Sequence, residues 1–122
     1  MRFISIFTHE PLDRPPTEAE MAAMGKLIAD AMKEGWLIAT EGVGFGATGV
    51  RVHRSAAGKV TVMDGPFTET KEVIGGYALL KAESEEEIVR LTKRFLEVAG
   101  QGTCEIYRLY EAQGDLKNSC GG

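Results

Sequence analysis

The sequence has no apolar run near the roughly 18 residues that cross a bilayer, so no stretch reads as a transmembrane helix. Its opening, Met1-Arg2-Phe3-Ile4-Ser5-Ile6-Phe7, is too short for a secretory leader and reads as a first strand. Cysteine is scarce, with Cys104 in a predicted strand and Cys120 near the end. Without a repeated spacing these two exclude a disulfide framework and point to the reducing cytoplasm. Basic residues are in deficit, 14 Lys and Arg against 18 Asp and Glu, and the net charge is −4. That balance excludes the concentrated basic face of a nucleic-acid binder. No set of His, Cys, Asp and Glu has metal-ligand spacing, so neither a metal nor a cofactor is expected.

What is present is the patterning of one small domain, expected over residues 1–112, with a polar, glycine-rich tail over 113–122. Phe3 to Phe7 is apolar on both faces, as in a strand at the middle of a sheet. Three prolines between Thr8 and Pro16 make a loop. Thr17 and Glu20 then form a capping box at the start of a helix. Met21, Met24, Leu27, Ile28, Ala31 and Met32 recur at helical spacing, and Gly35 ends the helix.

Trp36 to Thr40 reads as a second strand. Val50 and Val52 alternate with Arg51 and His53, and Val60 and Val62 alternate with Thr61 and Met63, giving a hairpin with one apolar face. Tyr77 to Leu80 is a further strand after a connecting segment from Asp64 to Gly75. Ser84 and Glu87 open a second helix whose inward face is Ile88, Leu91, Thr92, Phe95 and Leu96, and Thr103 to Leu109 is the last strand. The order predicts an α+β fold, a ferredoxin-like βαββαβ unit with an added hairpin strand. Two helices cover one side of such a sheet. Phe3, Phe7 and Met63 are expected to add apolar area to the other side, where a second subunit would pack as a homodimer.

The densest chemical signal is Asp64-Gly65-Pro66-Phe67-Thr68-Glu69-Thr70-Lys71-Glu72, followed by Gly75-Gly76-Tyr77. Gly65 opens backbone angles closed to other residues and Pro66 fixes φ, so a stiff corner follows Asp64. Such a corner can present Asp64 as a general base or as an acceptor for a ligand's donor. The same carboxylate can equally accept hydrogen bonds from the turn itself. Glu69, Lys71 and Glu72 are candidate ligand contacts or a solvated ion-pair cluster. Glu41, where the second strand leaves the sheet, is a candidate pocket carboxylate, with Arg51 or Lys71 as helpers and Phe45, Phe67 and Tyr77 as walls. His9 and His53 are the two histidines, and either completes a dyad with Asp64 if the fold brings them together. Gly44-Phe45-Gly46-Ala47-Thr48-Gly49 matches G-x-G-x-x-G in letters. A strand follows it instead of the helix that would hold a pyrophosphate, so no nucleotide site is predicted.

Through D-G-P-F-x-E-x-K-E and the double glycine with its aromatic, the sequence resembles the DGPF subgroup of the YCII-related family. The likeness extends over nearly the whole chain except the tail, including Glu41-Gly42, Val50-Arg51 and Glu105-Ile106. Where relatives often continue with Arg-Pro, this chain has Tyr107-Arg108. The resemblance implies a dimeric α+β barrel. Some relatives are enzymes with a His–Asp pair whose histidine sits on the first helix, but here that helix, Thr17 to Lys33, contains none. Other relatives are accessory partners of alternative sigma factors.

Two functions are therefore expected as alternatives. One is a small-molecule site anchored by Asp64, with cofactor-free proton-transfer chemistry of lyase or isomerase type. The other is a non-catalytic module acting with a protein partner such as an alternative sigma factor.

Overall fold

The computed structural model describes residues 1–45, 47–67 and 72–110. The predicted tail and the candidates Glu69 and Lys71 lie outside them. Strand β1 (Arg2–His9) is followed by helix α1 (Glu18–Glu34), strand β2 (Leu37–Gly42), the ribbon strands β3 (Val50–Arg54) and β4 (Val60–Asp64), strand β5 (Val73–Lys81), helix α2 (Glu85–Ala99) and strand β6 (Thr103–Arg108). One sheet has the order β2-β5-β1-β6, with every neighbouring pair antiparallel. Strands β3 and β4 form a separate two-stranded ribbon. Removing that ribbon leaves βαββαβ, so the hairpin is an insertion between β2 and β5 and adds no strand to the main sheet.

The core follows from strand alternation. Phe3 pairs with Leu80 across β1 and β5 and shares its face with Ser5 and Ala78. Phe3, Leu37 and Leu80 from the sheet meet Ala31 of α1 and Ile88 and Leu91 of α2 in one buried cluster. Further along, Phe7 meets Phe95 of α2 edge to face at 5.2 Å. Phe3 and Phe7 therefore point toward the helices, contrary to the expectation that they line the uncovered face. That face instead carries Ile4 and Ile6, opposite Leu79 and Tyr77 on β5, with Tyr107 and Glu105 beside them on β6. Met63 belongs to the ribbon.

The helices start as their sequences dictate. The Thr17 hydroxyl accepts from the Glu20 N–H, and the Glu20 carboxylate accepts from the Thr17 N–H at 2.9 Å. Gly35 closes α1 in the left-handed conformation at φ 91°. The Ser84 hydroxyl accepts from the Glu87 N–H at 3.1 Å at the start of α2. Along α1, Ala31 is buried and Met24, Leu27 and Ile28 are half-buried, whereas Met21 and Met32 are exposed at 56% and 48%. The apolar stripe of this helix is thus wider than the face the sheet covers.

Two strands run longer than their apolar letters suggest. β1 continues through the polar Thr8 and His9 because Ile74 and Val73 pair with them. β5 accordingly starts at Val73, inside a segment that the double glycine marks as a loop. No helix among the described residues is long and apolar enough to cross a membrane.

Glu20 also receives the Arg14 guanidinium at 2.8 Å, and this bond, with the Thr17 N–H, lowers its carboxyl from 4.5 to about 2. A carboxyl depressed on folding stabilises above its unfolded value and loses that contribution as pH falls through its folded value. The thermal midpoint of the wild type should therefore fall between pH 4.5 and about 2 more steeply than that of Glu20→Gln. Equal slopes in a pH series of melts would refute this cap's role.

Candidate functional site

The sequence motif begins at the last residue of β4 and ends at the first residues of β5. In the ribbon, Val50 pairs with Asp64, Val52 with Val62 and Arg54 with Val60, while Arg51 pairs with Met63 and His53 with Thr61. Alternation puts Asp64 on the face of the four valines, and Arg51 and His53 on the opposite face. All ten ribbon residues are exposed, the four valines at 57 to 66%. His53 and Asp64 thus point away from each other, and the His53–Asp64 dyad considered from sequence does not form within the ribbon.

The corner after Asp64 closes onto the foot of the ribbon. The Gly65 N–H donates to the Gly49 carbonyl at 2.8 Å, and the Gly65–Pro66 peptide is cis. A side chain at Gly65 would lie 3.1 Å from the Gly49 oxygen, so glycine lets the two strand ends meet. The chain then turns back and places the Phe67 ring under the Arg51 guanidinium, 4.1 Å from its centre. Arg51 and Phe67 are thereby brought together, on the side away from the valine face. Asp64 lines neither of two clefts found among the described residues. Phe45 is exposed at 52%.

Glu41 and Tyr77 pair across β2 and β5 on the uncovered face of the main sheet, and the Thr40 hydroxyl donates to the Tyr77 carbonyl at 2.8 Å. The same face holds Glu105 and Tyr107, two candidates that the sequence reading passed over. The Tyr107 hydroxyl donates to Glu105 at 2.9 Å, and that acceptor pushes the phenol pKa up, keeping it protonated. The period-two pattern Cys104, Glu105, Ile106, Tyr107 held this information. It needed only the knowledge that Ile106 packs against the core. Cys104 lies opposite Phe7 on the helix side, where burial raises its thiol pKa and makes it a poor nucleophile.

His9 sits elsewhere, at the end of β1 on the helix side. Its ring lies 5.5 Å from that of Phe7. It borders a cleft of 190 Å³ shared with Glu10, Glu72, Gln101, Gly102 and Thr103. The Thr8 hydroxyl donates to Glu72 at 2.9 Å. A larger cleft of 420 Å³ lies at the other end of the β1–β5 ladder, among Glu34, Trp36, Lys81, Arg90 and Arg94, and contains none of the predicted residues. No group of three or more potential metal ligands occurs among the described residues.

The double glycine has a structural reason. A side-chain carbon at Gly75 would lie 2.7 Å from the Phe7 ring and 2.8 Å from that of His9, and one at Gly76 would lie 2.5 Å from the Glu41 carbonyl oxygen. Gly75 leaves room for two rings on β1. Gly76 lets the β2 backbone approach, which sets the Glu41–Tyr77 pair.

An antiparallel sheet covered on one side by two helices, in this strand order, is an α+β fold of ferredoxin-like architecture. The chain belongs to the YCII-related family, whose domain model matches residues 1–113. No curated protein matches it. Among solved structures, a protein of Shewanella loihica PV-4 named as a "putative monooxygenase" is 13% identical, over 92% of this chain and 99% of that one, with a TM-score of 0.35. That likeness is too slight to bear on chemistry.

Gly76→Ala should cost about 1–3 kcal/mol, because the clash is with backbone that cannot step aside. Gly25→Ala, inside α1 with no atom within 4 Å of the new carbon, should stabilise by roughly 0.5–1 kcal/mol. Denaturant melts of the two variants check the contrast. A neutral Gly76→Ala would show that β2 and β5 are not held at this approach.

Proposed function

We propose that this YCII-related protein acts as a homodimer that binds a small molecule at a seam closed by the second copy, with Asp64 as its polar anchor. The observation that carries the reading is the ribbon register, which sets Asp64 on the same face as Val50, Val52, Val60 and Val62. Four exposed valines on the ribbon, and a sheet face with half-buried Ile4, Ile6 and Leu79 beside exposed Tyr77, make two apolar surfaces that the described residues leave at least partly in water. Burying an exposed valine side chain contributes about 1.5–3 kcal/mol, so covering the ribbon is strongly favoured. Any partner surface that covers the valines also takes the Asp64 carboxylate out of bulk water, where a ligand's donor binds it more strongly. Glu41 and Tyr77 would supply further polar contacts from the sheet face. The chemistry that suits one carboxylate beside apolar walls is cofactor-free proton transfer, an elimination or isomerisation.

The accessory-module reading has one observation in its favour. In the single chain Asp64 is exposed and lines neither of the two clefts described above, so the valine face is equally a docking surface for a different protein, such as an alternative sigma factor.

Light scattering should show a dimer that Val52→Glu with Val62→Glu converts to monomer. In a thermal-shift screen with metabolites, a ligand should raise the midpoint of the wild type and fail to raise that of Asp64→Asn. A monomeric wild type, or no ligand that distinguishes the two proteins, overturns the small-molecule reading. A stoichiometric protein partner retained by Asp64→Ala supports the module instead.

A further inference from the structure

The cleft at the shared end of β1, β5 and β6 has a feature that the ribbon lacks, a histidine whose proton position is fixed by its surroundings. His9 Nδ1 lies 2.7 Å from the Glu10 carbonyl oxygen. A carbonyl can only accept, so Nδ1 carries the proton, and in the neutral ring Nε2 is left with a free lone pair. Nε2 has no protein partner among the described residues. The ring is held as well as oriented. Phe7 lies against it at 5.5 Å and 38°, and the missing side chain at Gly75 gives its Cδ2 edge a place. Phe7 is itself fixed, with Phe95 edge-on at 5.2 Å and with Gly102 so close that an added carbon would overlap the ring. A loose surface histidine has none of these restraints.

Glu72 is the second fixed group on the cleft wall, anchored by the Thr8 hydroxyl at 2.9 Å. Glu10, Gln101, Gly102 and Thr103 form the rest of the wall among the described residues. The two oriented groups are both acceptors, an imidazole nitrogen and a carboxylate. A molecule that satisfies both must bring two donors. The volume, 190 Å³, suits a few heavy atoms rather than a nucleotide or a peptide.

We propose that this cleft binds a small diol or amino alcohol, with one O–H or N–H given to His9 Nε2 and another given to Glu72. The site is independent of the Asp64 reading. Asp64 lies on the ribbon, and nothing in the His9 cleft requires a second copy.

The test uses the whole chain and NMR. Long-range nitrogen–proton correlation above the histidine titration range should show His9 as the Nδ1–H tautomer. His53, the other histidine, serves as the internal comparison. Ethylene glycol and ethanolamine should shift the His9 ring and the Gly102 and Thr103 amides saturably, whereas dimethoxyethane, which has no donor, should not. His9→Phe and Glu72→Gln should each weaken binding about tenfold or more, the loss expected when a charge-assisted or oriented hydrogen bond is removed. Asp64→Asn should leave it unchanged. Retained amide dispersion shows that each variant folds. An Nε2–H tautomer, equal shifts with dimethoxyethane, no shift with any probe, or unchanged binding in His9→Phe overturns the proposal. Loss of binding in Asp64→Asn would overturn the independence of the two sites.

Discussion

Packing of two helices against one face of a four-stranded sheet is the constraint from which the other features follow. Phe3 and Leu80 project from neighbouring strands into the space between α1 and α2, where Ala31, Ile88 and Leu91 close over them. Strand alternation then leaves no choice for the rest of β1 and β5. If Phe3, Ser5 and Phe7 face the helices, Ile4, Ile6, Leu79 and Tyr77 face away from them. Among the described residues there is no third layer to cover these side chains, and the inserted ribbon forms its own sheet. A fold with this core therefore carries its incompleteness with it. Its uncovered side is as much a product of the sequence as its core.

The double glycine shows how the core and the candidate sites are coupled. Gly75 and Gly76 do not form a flexible link. They are positions in a strand where a side chain would meet, on one hand, the Phe7 and His9 rings, and on the other the Glu41 carbonyl. The first relation fixes the histidine at the end of β1. The second fixes how closely β2 lies to β5, and hence the Glu41–Tyr77 pair. Two adjacent residues without side chains thus control geometry on opposite faces of the sheet.

Most of the fold was legible in the residues, and the limits have definite causes. Thr17 with Glu20, Ser84 and Gly35 marked helix ends because capping is local chemistry, decided within three or four positions. The valine alternation marked the ribbon for the same reason. By contrast, β1 is apolar on both faces, so its letters give no sign of which face meets the helices, and Phe3 and Phe7 fell on the wrong side. The start of β5 was hidden because Val73 and Ile74 precede two glycines, which usually interrupt a strand and here make room for other groups. The motif Asp64-Gly65-Pro66-Phe67 was plain as a corner, and its closure onto Gly49 agrees with that. Which face Asp64 occupies depends on ribbon register, and register depends on a pairing that no single strand encodes.

Register also keeps His53 off the face of the carboxylate with which it could complete a dyad. His53 is on the same ribbon as Asp64 but on the other face, and a change of one position in pairing would have been needed to bring them together. His9 lies on the main sheet and turns toward the helices, where Glu72 is its neighbour along the cleft. Glu72 and Asp64 stand at the two ends of one motif, one entering β5 and one leaving β4. The motif therefore spans from an exposed ribbon to the end of a rigid sheet. A residue pattern this dense invites assignment to one site. The geometry instead divides Asp64 and Glu72 between two environments, one that becomes enclosed only if a partner covers the valines, and one that is already shaped by the chain's own rings and glycines.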